Sequence, residues 1–154
     1  MKLRLACSGS SNPPQHSYFA GSNTAGQTVR TAAVAPARIL AISDYEGLRF
    51  SRELLLREQG YYVESMNSRE LLEISKVRTF DVAILCQSVD PARAVRLAEI
   101  LHRYRPGIGV LRVAPVHSAS HSSFDIELEG FAGPEALLQA VSELLDGCRD
   151  MAAD

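Results

Sequence analysis

A doubly wound α/β domain on a five-stranded parallel sheet is the architecture this sequence predicts, and three observations carry the prediction. Short, wholly apolar runs such as Ile39-Leu40-Ala41-Ile42 and Val82-Ala83-Ile84-Leu85 have the length and composition of strands buried on both faces. Between such runs lie stretches whose apolar residues recur at helical spacing. The two kinds of segment alternate, and right-handed crossovers then place helices on both faces of a parallel sheet, with any site at the carboxyl ends of the strands.

The elements follow in order. Arg38 to Ile42 is the first strand, and Asp44 is placed to cap the helix carrying Leu48, Ser51, Leu55 and Leu56, which Gly60 closes. Tyr61 to Met66 is the second strand. Asn67 and Glu70 have capping-box spacing before Leu71, Leu72 and Ile74, a second helix. Asp81 to Cys86 is the third strand. Asp90-Pro91, an N-cap followed by an N1 proline, opens a helix through Val95, Ala98, Leu101 and Arg105, and Pro106-Gly107 stops it. Ile108 to Val113 and Phe124 to Leu128 are the fourth and fifth strands. Gly133-Pro134 opens the last helix, with Leu137, Leu138, Val141, Leu144 and Leu145 on one side and Gly147 expected at its end.

Composition narrows the function classes. The chain has 154 residues, 46% of them hydrophobic, enough to bury a core. Lys plus Arg number 16 against 18 Asp plus Glu, a near-balance that argues against a nucleic-acid partner. No apolar run reaches the ~18 residues of a membrane span, so no membrane is expected. Cys7, Cys86 and Cys148 are too few and too far apart for a disulfide framework or zinc ribbon, which points to a reducing, cytoplasmic setting. Residues 1–37 contain no Asp or Glu, and 18 of the 37 are Ser, Thr, Asn, Gln, Gly or Pro. They read as a disordered leader to a domain at 38–148, with 149–154 a short tail.

These residues resemble the receiver domain of bacterial two-component response regulators. The resemblance covers roughly 38–147 and rests on Ile39-Leu40-Ala41-Ile42-Ser43-Asp44, on Asp81-Val82-Ala83-Ile84-Leu85-Cys86, on Arg105-Pro106-Gly107-Ile108-Gly109-Val110-Leu111 and on Pro134-Glu135-Ala136-Leu137-Leu138. It implies a flavodoxin-like sheet of order 2-1-3-4-5. Family chemistry needs an acidic pair holding Mg²⁺, an acceptor aspartate, a Ser/Thr and a lysine. Carried over, those positions fall on Ser43 and Asp44, on Cys86, on Val113 and on Gly130, so only Asp44 survives. A thiol cannot replace a carboxylate on a hard cation, and without cation and lysine nothing offsets the charge of a phosphoryl group in transfer. The pocket is read as degenerate and its aspartyl phosphorylation as unavailable. Only Ala114 to Ser123 separate Val113 from Phe124, a stretch with Pro115 and four serines, so the family's fourth helix is expected to be shortened or missing.

Other candidates are weaker. Cys86 at a strand's carboxyl end could be a reactive thiol, though a small buried hydrophobe is the plainer reading. His117 and His121 would bring a Cys/His₂ metal set near it only if their loop, which lacks helical spacing, gathered them. A Cys, five residues, Arg phosphatase loop is not matched, since position 92 is Ala. Arginines recur on the first and third helices among glutamates, the pattern of a solvated face. No Gly-x-Gly-x-x-Gly or phosphate loop follows the first strand. The sequence therefore reads as a non-enzymatic, phosphorylation-independent receiver-like module without cofactor, which acts through protein contacts, a second copy of itself among them. The alternative is a redox or metal-responsive switch centred on Cys86.

Overall fold

A computed structural model describes residues 35–70, 74–116 and 118–152. The leader, apart from its last three residues, therefore lies outside the described residues, as do Leu71, Leu72 and His117. From Pro36 onward the chain forms one unit. Strands β1 (Arg38–Ile42), β2 (Tyr62–Met66), β3 (Val82–Leu85), β4 (Gly109–Ala114) and β5 (Ile126–Glu129) form a single parallel sheet of order β2-β1-β3-β4-β5, as expected. Its helices are α1 (Glu46–Glu58), α2 (Ile74–Val77), α3 (Pro91–Tyr104) and α4 (Gly133–Ala152).

The central strands are buried because both sheet faces are covered. Odd-numbered β1 positions Ile39 and Ala41 join Ile84, Val113, Leu137 and Val141 in one core under α1 and α4. Even-numbered Leu40 and Ile42 join Leu85, Val110, Ala98 and Leu101 in the other, under α2 and α3. This is the period-two alternation of a strand between two helical layers. Asp90 caps α3, its carboxylate accepting from the Arg93 N–H at 3.2 Å, with Pro91 at N1. Gly60, at φ 89°, ends α1 in a left-handed conformation that a side chain would strain.

Four expectations need correction. A fourth helix is present, α4 with 20 residues, although it follows β5 rather than β4. Residues 115–125 between β4 and β5, where described, carry turns and bends, and α2 has four described residues. The helix at 133 does not end at Gly147 but continues to Ala152, taking in much of the expected tail, because the Cys148 thiol donates to the Gly107 carbonyl at 3.1 Å and ties that turn to the body. Asp44 does not cap α1: Tyr45 holds that position without a side-chain bond, and the Asp44 carboxylate is engaged elsewhere. Ala37 belongs with the sheet rather than the leader, its carbonyl accepting from the Tyr62 N–H at 2.9 Å. No helix among the described residues is long and apolar enough to cross a membrane.

Candidate functional site

Parallel strands β1 and β3 are neighbours, so the loops at their carboxyl ends meet. Ser43 is fully buried there, its N–H donating to the Met66 carbonyl at 3.0 Å, while the Cys86 N–H donates to the Ile42 carbonyl at 2.9 Å. The Ser43 hydroxyl lies 2.9 Å from that of Ser88 and donates to the Tyr45 carbonyl at 3.0 Å. Ser88 Oγ in turn accepts from the Asp44 N–H at 3.0 Å and the Tyr45 N–H at 3.3 Å. Two neutral hydroxyls thus stitch the two loops together.

The surviving carboxylate is consumed. Asp44 Oδ1 accepts from the Ser68 N–H at 2.8 Å and Oδ2 from the Ser68 hydroxyl at 2.7 Å, with Arg93 Nη1 donating to that hydroxyl at 3.4 Å. Asp44 therefore anchors the turn after β2. There one half of the expected Asn67–Glu70 box forms, the Asn67 N–H donating to Glu70 Oε2 at 3.3 Å, while Asn67 Oδ1 accepts from the Arg69 N–H at 2.9 Å rather than from that of Glu70.

Cys86 belongs to the core. Cys86 is 2% exposed and shares its apolar cluster with Val113. Burial pushes its thiol up from the ordinary range, against the smaller opposing pull of the Arg52 guanidinium and a hydrogen bond with Ser43. Beside it, Arg52 Nη2 donates to Gln87 Oε1 at 2.9 Å. A Cβ built on Gly130 would stand 3.3 Å from the Ala114 carbonyl oxygen, a tight approach to backbone, and 3.7 Å from the Gln87 amide nitrogen, an ordinary contact. Val113 and Gly130 line a cavity of about 230 Å³ between α1 and α4, walled by Leu48, Leu55, Leu128 and Leu137. Most of the lining is apolar, with Ser51, Arg52 and Glu129 its polar members.

The residues present do not fit Mg²⁺. One carboxylate, bonded at each oxygen to Ser68, stands with a serine and a buried thiol where a hard cation needs several oxygen ligands. Nor do the other candidates converge. The His121 ring accepts from the Ser123 N–H at 3.2 Å and packs edge-on to Phe124. No group of three His, Cys, Asp or Glu able to hold a metal occurs among the described residues, which exclude His117. Sequence reasoning placed Ser43, Asp44, Cys86, Val113 and Gly130 together at the ends of the strands and missed Ser68, Ser88, Gln87 and Arg52, which satisfy them.

No protein-family model matches the sequence, and no curated protein matches it with significance. Solved structures do match. A receiver domain (CheY-like) from Methanospirillum hungatei shares 23% identity over 76% of this chain and 99% of its own, with a TM-score of 0.64. One from Clostridium thermocellum shares 18% over 77% of this chain and 99% of its own, at 0.66. TrrA of Thermotoga maritima, a response regulator solved in complex with Mg²⁺-BeF, shares 21% over 71% of this chain and 99% of its own, at 0.62. Residues from about 36 onward therefore have the fold of response-regulator receiver domains.

Proposed function

We propose that this chain is a non-catalytic, phosphorylation-independent receiver-like module that acts by protein–protein interaction in signalling or regulation, in the cytoplasm and without a cofactor. The observation that supports it is the internal bonding of the pocket. Both Asp44 oxygens are taken by Ser68, the Ser43 and Ser88 hydroxyls satisfy each other and the adjoining backbone, and Cys86 is sealed into the core. A pocket of this kind offers a cation one carboxylate, already bonded at both oxygens, and offers a phosphoryl group no aspartate at the position the resemblance assigns to the acceptor.

The test is incubation of the full chain with acetyl phosphate and Mg²⁺, followed by intact mass. An unmodified mass is expected. Stoichiometric phosphoryl uptake that disappears in Asp44→Ala would overturn the proposal.

A further inference from the structure

The arginines of α1 and α3 differ in what they do. On α1, Arg57 pairs with Glu53 at 2.7 Å and donates to the Val63 carbonyl at 3.1 Å, and Arg52 holds Gln87. On α3, Arg96 and Arg103 are exposed and make no ion pair or side-chain hydrogen bond among the described residues. Glu99 lies three residues after Arg96 and four before Arg103, the favourable order for pairing, and takes neither. Ile100 stands between them on the same outward face, 37% exposed, opposite the buried Ala94, Leu97, Ala98 and Leu101.

This face also runs against the sign of its domain. Residues 38–154 carry 13 Lys and Arg against 18 Asp and Glu, a net −5. Helix α3 has three arginines against Glu99 alone, whereas α4 has Glu135, Glu143, Asp146 and Asp150 against Arg149 alone. Guanidinium groups flanking an exposed aliphatic residue have the composition of an interface, where arginine is enriched because its planar fork binds carboxylates in pairs.

We propose that the outer face of α3 docks an acidic helical segment of a protein partner. An apolar side chain of the partner sits over Ile100, and carboxylates two turns apart meet Arg96 and Arg103, which are about 10.5 Å apart along the axis. A nucleic acid suits this face less well, because Glu99 lies within it, Ile100 offers nothing to a phosphate backbone, and the domain as a whole repels polyanions. The inference rests on the reading of the chain as a partner-binding module but not on the state of its pocket, so phosphoryl labelling would sink that reading and leave this measurement unaffected.

The experiment is fluorescence anisotropy with the full chain and a labelled amphipathic peptide of about 20 residues, glutamates spaced seven apart around leucines. The same peptide with lysines in place of glutamates and a short DNA duplex are the comparisons. The glutamate peptide is expected to bind, to weaken as salt is raised, and to lose roughly tenfold or more in affinity with Arg96→Glu/Arg103→Glu. A smaller loss is expected with Ile100→Ala and none with Arg49→Glu on α1. Arg96→Gln/Arg103→Gln, which only removes charge, gives the same direction should charge reversal disturb the fold. Absence of binding, equal binding by both double variants, tighter binding of the lysine peptide or the duplex, or self-association through the acidic face of α4 in its place would each overturn it.

Discussion

Neighbouring residues of β4 belong to two regions that handle charge in opposite ways. Val113 faces the pocket side, where hydroxyls, an amide and a thiol line the ends of the strands beside the partly exposed Asp44 and Arg52. Arg112 faces the other side and keeps a full charge inside, only 3% exposed. Its Nη1 pairs with Glu127, its register partner on β5, at 3.2 Å, its Nη2 donates to Ser118 Oγ at 2.9 Å, and its guanidinium lies 5.0 Å from the Phe124 ring centre. The Glu127 carboxylate also accepts from the His121 N–H at 2.8 Å, so the turns between β4 and β5 are clamped to the sheet. The contrast teaches that a buried charge persists here only where the chain supplies its whole set of partners.

The largest way to break the comparison is to remove one member of the clamp. Arg112→Ala strands a partly buried Glu127 carboxylate and releases the 118–121 turn, and a loss of roughly 3 kcal/mol in urea unfolding is expected. Arg112→Met with Glu127→Leu should recover most of that loss, since no uncompensated charge remains. A double variant as weak as the single would mean that packing on Phe124, not charge compensation, carries the effect.

On the pocket side, Ser88→Ala should cost less, about 1–2 kcal/mol. It removes one hydroxyl that serves Ser43 Oγ and the Asp44 N–H, and the groups left behind are neutral. Ser88→Cys, which keeps a weak donor and acceptor, is expected to fall between the two. A cost below a few tenths would show that the stitching is incidental.

Cys86 supplies a smaller, pH-dependent effect. Its folded pKa is raised above the 9.0 of an unperturbed thiol, chiefly by burial, so the folded chain holds that proton longer than the unfolded one. The resulting stability is present in full below about pH 8.5–9 and is lost as pH rises through the folded value. Cys148 is raised in the same direction and Cys7 also carries a thiol, so the measurement belongs in a Cys7→Ser/Cys148→Ser background. Iodoacetamide should modify native Cys86 more slowly than the urea-unfolded chain at pH 8. Faster native alkylation would favour the thiol-switch alternative.

The fold was legible because its signals are local. Apolar runs mark β1 and β3, and the Asp90-Pro91 pair marks the start of α3. The pocket positions were also legible, since they end predicted strands. What satisfies them was not: Ser43 and Ser88 are 45 residues apart, Asp44 and Ser68 are 24 apart, and Arg52 and Gln87 are 35 apart. Only the parallel crossovers bring those loops together, and no short-range pattern encodes that meeting. Asp44 was misjudged for the same reason, a distant hydroxyl and N–H outbidding the adjacent helix end. Arg112 did leave a signal. A charged residue inside a run predicted to be buried on both faces demands a partner, and Glu127 on the next strand supplies it.

The last test asks whether the pocket can be returned to charged chemistry by one residue, and no detectable effect is expected. Cys86→Asp restores a carboxylate at the acceptor position, next to Asp44, yet places it at a site 2% exposed with Arg52 as the nearby cation. Asp44 remains bound to Ser68, Val113 offers no hydrogen bond to a phosphoryl oxygen, and Gly130 supplies no cation. Each missing transition-state contact typically costs ~10²–10³ in rate, so the single variant should stay unlabelled by acetyl phosphate and Mg²⁺ in intact mass. Ser43→Asp, Val113→Thr and Gly130→Lys added to Cys86→Asp form the smallest set expected to regain Mg²⁺-dependent labelling. Efficient labelling of Cys86→Asp alone would mean that the hydroxyl stitching yields readily to a cation, and the contrast between the two sides of β4 would then be one of occupancy rather than of design.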